Sequence, residues 1–108
     1  MNNSELEETI KEIFKNLLKD INNIDCGKFL ITKSNLLNMT FYKLFHVYNK
    51  TDYPPRLVCS VVIKEGICDG VYYSTNYNNT KKYSDLDKLS IRILIDSMNY
   101  IENAYNIE

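Results

Sequence analysis

The sequence has no tryptophan and no glutamine, a single alanine and a single histidine, and only three glycines, two prolines and two arginines in 108 residues. Gly27, Gly66 and Gly70 are too scattered to cradle a phosphate, and no Gly-x-Ser-x-Gly, Ser-x-x-Lys or His-Glu-x-x-His motif occurs. Cys26, Cys59 and Cys68 form no Cys-x-x-Cys pair, which argues against a zinc module or a dithiol centre. His46 has no sequence partner that would make it half of a nucleophile pair, and its alternation with Leu44 and Tyr48 reads as a half-exposed strand position. No stretch approaches the roughly 18–20 apolar residues of a membrane span, and the first 30 residues lack the apolar run of a signal peptide. These absences lead us to expect a non-enzymatic protein with no cofactor and no metal, placed inside the cell, in the cytoplasm, with free thiols.

Charge of one sign is also missing. Lys and Arg number 13 against 14 Asp and Glu, for a formal net charge of -1. Polyanions are usually met by a clear basic excess, so nucleic acid and anionic membrane are not favoured as dominant partners. What is present is a globular mixture, 44% hydrophobic and 25% charged, sufficient for one domain over residues 1–108. Asn, Ile, Lys and Tyr dominate, which matches an AT-rich genome and weakens any argument from tyrosine abundance alone.

Ser4-Glu5-Leu6-Glu7 has the form of a capping box, and Leu6, Ile10, Ile13, Phe14, Leu17, Leu18 and Ile21 follow at helical spacing, with a stop at Asn22-Asn23. Lys28 to Lys33 suits a strand. Residues 35–49 fit a helix face through Leu37, Phe41, Leu44 and Tyr48. They also fit an alternating strand through Met39, Phe41, Phe45 and Val47 that only Lys43 interrupts; the aromatic and β-branched content favours the strand. Pro54-Pro55 breaks the chain before the apolar run Leu57 to Ile63, which reads as a central strand. Glu65-Gly66 then serves as a two-residue turn into a partner strand, Ile67 to Thr75, and sets Cys59 opposite Tyr72, beyond disulfide reach of Cys68. Asp69-Gly70 competes as a turn or bulge.

Asn76 to Tyr83 reads as a polar loop and Ser84 as the cap of a last helix that turns Ile91, Leu94, Met98, Ile101 and Tyr105 to one side, widened by Leu86, Leu89 and Ile93. The run Ile91 to Ile95 also fits a strand. The expected architecture is α+β: an N-terminal helix, a three- to four-stranded antiparallel sheet and a C-terminal helix, with both helices on one face of the sheet.

Binding chemistry concentrates at Lys81-Lys82, which precede a helix start and are flanked by Tyr77 and Tyr83, with Lys88 and Arg92 further on. Ammonium groups and helix-start amides favour phosphate, and aromatic rings stack on bases. Asp85 and Asp87 partly cancel that field. The order helix, strand, strand, strand, helix, with Lys81-Lys82 leading into the last helix, is similar to double-stranded-RNA-binding domains and to the small Alu-domain subunits of the signal recognition particle. Residues 42–66, with Pro54-Pro55 before Leu57-Val58-Cys59-Ser60-Val61-Val62-Ile63, resemble the central strands of the former over about a quarter of the chain. The resemblance implies RNA binding. The chain departs from it in a long gap before Tyr42, in a last helix that lacks a small Ala-rich face and has only Ala104, and in the absent basic excess.

The competing reading, and the favoured one, is a protein-interaction module such as an inhibitor, adaptor or immunity-type partner. It rests on nine Tyr and four Phe in a small domain with no catalytic constellation. A homodimer closed by an edge strand, at Phe29 or at Val71 to Tyr73, is a further expectation.

Overall fold

A computed structural model describes residues 3–22, 27–48, 53–75 and 80–107. Helix α1 (Asn3–Ile21) forms where the periodicity places it, because Ile10, Phe14, Leu17 and Ile21 all turn inward to full burial. Ser4 lies inside this helix and not at a cap. Glu7, expected to reach back to it, instead accepts a hydrogen bond from Tyr42 Oη at 2.8 Å and pairs with Lys33 at 3.1 Å. The helix ends where expected, and Asn22 finishes it with its side chain. Its Oδ1 accepts from the Phe29 amide at 3.0 Å and its Nδ2 donates to the Phe29 carbonyl at 3.5 Å, which stitches the helix end to the first strand.

Five antiparallel strands follow as a meander, β1 (Lys28–Leu36), β2 (Met39–Val47), β3 (Arg56–Lys64), β4 (Gly70–Thr75) and β5 (Lys81–Tyr83), paired in the order 1-2-3-4-5. Residues 39–47 are thus strand, not helix. Met39, Phe41, Phe45 and Val47 lie on one side of it, while Tyr42, Leu44 and His46 are buried on the other. Strand β3 is central, as its apolar run implies, and its register slips between Leu44 and Phe45 so that consecutive Val58 and Cys59 both reach the core. Leu36 and Met39 pair directly, so Leu37-Asn38 makes a two-residue turn with Leu37 at φ +53° and almost fully exposed.

The β3–β4 connection corrects the sequence reading. Lys64 pairs with Gly70 and Cys59 faces Thr75, not Tyr72, because the loop holds five residues and not two. Gly66 opens a turn closed by the Asp69 amide on its carbonyl at 3.2 Å, Cys68 takes φ +62°, and Tyr72 Oη donates to the Cys68 carbonyl at 2.9 Å. Strand β5 is a second correction: Lys81 to Tyr83 were expected in a loop, but they pair with Val71 to Tyr73. That pairing also removes Val71 to Tyr73 as a free edge, whereas Phe29 does lie on the edge strand β1.

Helix α2 (Leu86–Ile107) is capped by Asp85, not Ser84: Asp85 Oδ1 accepts from the amides of Asp87 at 3.0 Å and Lys88 at 3.4 Å. Its buried side is Leu89, Ile93, Ser97, Ile101 and Ala104, with Leu86 and Tyr100 partly covered. Ile91, Leu94 and Met98, expected inward, are exposed; the Tyr105 side chain lies outside the described residues. The helix is apolar over more than one side, and the side with Leu89 and Ile93 faces inward, where it also places Tyr100 on the His46 ring. His46 is fully buried, not half-exposed: it stacks on Phe29 at 4.6 Å between ring centres, and its Nδ1 lies 2.8 Å from Tyr100 Oη. Both helices pack on one face of the sheet and share a single core with it.

Candidate functional site

Because strand side chains alternate, covering one face of the sheet with two helices leaves the other face bare. The cross-strand register resolves that bare face into rows. One row runs Ser34, Phe41, Val62, Tyr72, Lys82 across all five strands. Beside it lie Thr32, Lys43, Ser60 and Ser74, and beyond them Leu30, Phe45 and Leu57. The outermost row is Leu36, Met39, Lys64 and Gly70. Apolar and aromatic residues therefore form bands, with ammonium groups set between and around them.

Charge on this sheet has one sign. The strands carry Lys28, Lys33, Lys43, Arg56, Lys64, Lys81 and Lys82, and no Asp or Glu at all. The acids of the described residues lie on the helices, at the α2 cap, or in the β3–β4 loop as Glu65 and Asp69. A net charge near zero thus conceals a basic sheet and an acidic helical layer.

On the bare face the lysines lie over rings. Lys64 Nζ is 4.5 Å from the Tyr72 ring centre and Lys43 Nζ 5.6 Å from that of Phe41. Gly70 makes room for Lys82: its φ is +141°, and a Cβ there would come within 2.6 Å of Lys82 Cε.

The residues singled out from the sequence do not converge on one patch. Lys82 joins the bare face, but Lys81 and Tyr83 point to the helical side, where Tyr83 meets Tyr73 edge-on at 6.1 Å and Lys81 lies 5.3 Å from the Tyr83 ring centre. Arg92 is held by Asp96, which also raises its pKa, and Lys88 sits in the first turn of α2. Tyr77 lies outside the described residues. The sequence reading missed Phe41, Lys43, Lys64 and Tyr72 as a set. The signal is Lys43, which interrupts the apolar alternation of β2 and so marks its solvent side.

The helical side has an open groove of about 740 Å³ between α1 and the first two strands, lined by Lys11, Phe14, Lys15, Leu18, Ile31 and Tyr42 among others. Between β4 and α2, Tyr73 Oη donates to Asp96 at 2.7 Å, and burial raises the Tyr73 pKa with help from Cys59 and Asp96. Burial pushes the Cys59 thiol up to about 12. Among the described residues, no three His, Cys, Asp or Glu side chains are grouped so that they could hold a metal ion, and no helix is long and apolar enough to cross a membrane. No family model, no curated protein and no solved structure matches the chain.

The likeness to double-stranded-RNA-binding domains weakens on the geometry. That resemblance rests on three strands and a lysine pair leading into a helix, whereas here the sheet has five strands and the pair lies within the fifth.

Proposed function

We propose that this chain is a small non-enzymatic protein-interaction module, of the inhibitor, adaptor or immunity-partner kind, that holds an acidic and apolar segment of another protein on the bare face of its sheet. The observation that carries the reading is the pairing of apolar bands with four lysines on the bare face, Lys28, Lys43, Lys64 and Lys82, in strands that contain no anion. Exposed apolar bands rimmed by charge of one sign suit a partner with the opposite sign.

Nucleic acid is the runner-up, and two features count against it. The rings of Phe41, Phe45 and Tyr72 are interspersed with the aliphatic Leu30, Leu57 and Val62, which suits side chains better than bases. The acidic helical layer also offsets the long-range field that a polyanion would follow. Cys59 and Cys68 are free thiols, which supports a module that works in a reducing compartment such as the cytoplasm.

The test uses two fluorescent probes, an extended peptide of alternating Glu and Val and a single-stranded oligonucleotide, read by anisotropy at physiological salt. The peptide should bind and lose at least about fivefold in affinity when Lys43→Glu and Lys64→Glu are combined, since each rim charge contributes about 0.5–1 kcal/mol. Salt-steep oligonucleotide binding that exceeds the peptide's would overturn the reading in favour of RNA.

A further inference from the structure

Helix α2 has a second apolar stripe directly opposite its buried one. Ile91 is 58% exposed, Leu94 44%, Ile95 42% and Met98 45%. At 100° per residue, Ile91, Ile95 and Met98 fall on the side of the helix that faces away from the sheet, with Leu94 on one flank. Among the described residues, no other element packs over them. Four neighbouring large side chains at such exposure form a continuous strip and not scattered surface residues.

The strip is bounded by charge in a telling order. Lys88 stands at its N-terminal end and Glu102 at its C-terminal end, both exposed and both on the same helical side as Ile95. Turning a second copy of the helix antiparallel about Ile95 brings Ile91 against Met98 and Ile95 against its own equivalent. The same rotation sets Lys88 against Glu102 of the second copy, twice by symmetry. The stripe is therefore complementary to itself in shape, polarity and sign, as a two-fold interface requires.

We propose that the chain forms a two-fold homodimer through antiparallel packing of α2 on α2, closed at each end by a Lys88–Glu102 ion pair. From Lys88 to Glu102 the strip runs about 21 Å. A single pair of helices of that length covers less than the roughly 1,200 Å² of a standard stable complex, so the dimer dissociates in the micromolar range. The bare faces of the two sheets then point away from each other, one on either side of the assembly.

Sedimentation velocity over a dilution series, from about 1 to 500 µM, reads the equilibrium. The wild-type chain should pass from monomer to dimer across that range. Ile95→Asp should leave a folded monomer, with its melt checked by circular dichroism, since the residue supports no core contact. Lys88→Glu and Glu102→Lys should each weaken the dimer at least about tenfold, and the doubly exchanged chain should recover most of that loss. A wild-type chain monomeric at 500 µM, a dimer indifferent to Ile95→Asp, or a double exchange that restores nothing would each overturn the proposal. A helical partner of another kind would show as the first of these.

Discussion

Glu7 ties the first helix to the sheet through two unlike partners, the Tyr42 hydroxyl and the Lys33 ammonium. Those contacts lower its pKa from the usual 4.5, the Tyr42 hydrogen bond first and Lys33 second, while burial works weakly the other way. A carboxyl with a depressed folded-state pKa stabilises fully above its unfolded value and loses that contribution as pH falls through the folded one. Glu7→Gln should therefore cost about 1 kcal/mol at pH 7, discounted for the exposure of Lys33, and the difference from wild type should shrink toward pH 3 in urea melts. The same hydrogen bond, together with burial, raises the Tyr42 pKa, so that hydroxyl stays a donor at every pH of interest. Among the thiols, Cys59 is buried with its pKa pushed up to about 12, whereas Cys68 is exposed in the β3–β4 loop. Maleimide labelling followed by peptide mapping should mark Cys68 within minutes and Cys59 only after denaturant is added, because both thiolate fraction and access are against Cys59. Labelling of Cys59 at the rate of Cys68 in the folded chain would contradict its place in the core. Cys26 lies outside the described residues.

Helix α1 contributes four of the fully covered side chains, Ile10, Phe14, Leu17 and Ile21. At roughly 1.5–3 kcal/mol for each buried large apolar side chain, their loss is comparable with the whole stability of a typical small domain, about 5–15 kcal/mol. Deleting residues 3–22 should abolish the cooperative thermal transition; a deletion chain that still melts cooperatively would show α1 to be an appendage. This element was legible because only one side of it is apolar. Helix α2 was not, since it offers two apolar stripes, and hydrophobic spacing alone carries no mark of which one meets the sheet. Tyr100 favours one of them through its contact with the buried His46 ring, which no periodicity encodes. The β3–β4 hairpin failed for a related reason: Gly66 does open a turn, but Cys68 takes the left-handed conformation that a glycine usually supplies, and the loop lengthens around it. Strand β5 has three residues and no apolar alternation, so its pairing rests on the edge of β4 and not on its own sequence. The candidate site was half legible. Lys82 was singled out, yet for a loop it does not occupy, while the rings and lysines of β2, β3 and β4 become one surface only through the register.

At the scale of the whole molecule, the chain is polarised into a basic sheet and an acidic helical layer, which a net charge of -1 hides. Back-to-back pairing through α2 would present two bare faces, so a partner with two acidic segments would gain from effective concentration as well as from contact. The meander has a different consequence, one of time. Each strand pairs only with its neighbours in the chain, so the sheet can zip from hairpin to hairpin with short loop closures and a low entropic barrier. The helical layer does not follow that schedule, because α2 is made after all five strands and yet supplies Leu89, Ile93 and Ile101 to the core. During synthesis, the nascent sheet therefore exposes its inner apolar face on the side of β3 to β5 until that helix emerges. The interval before α2 docks is when this chain is most open to aggregation and to capture by chaperones.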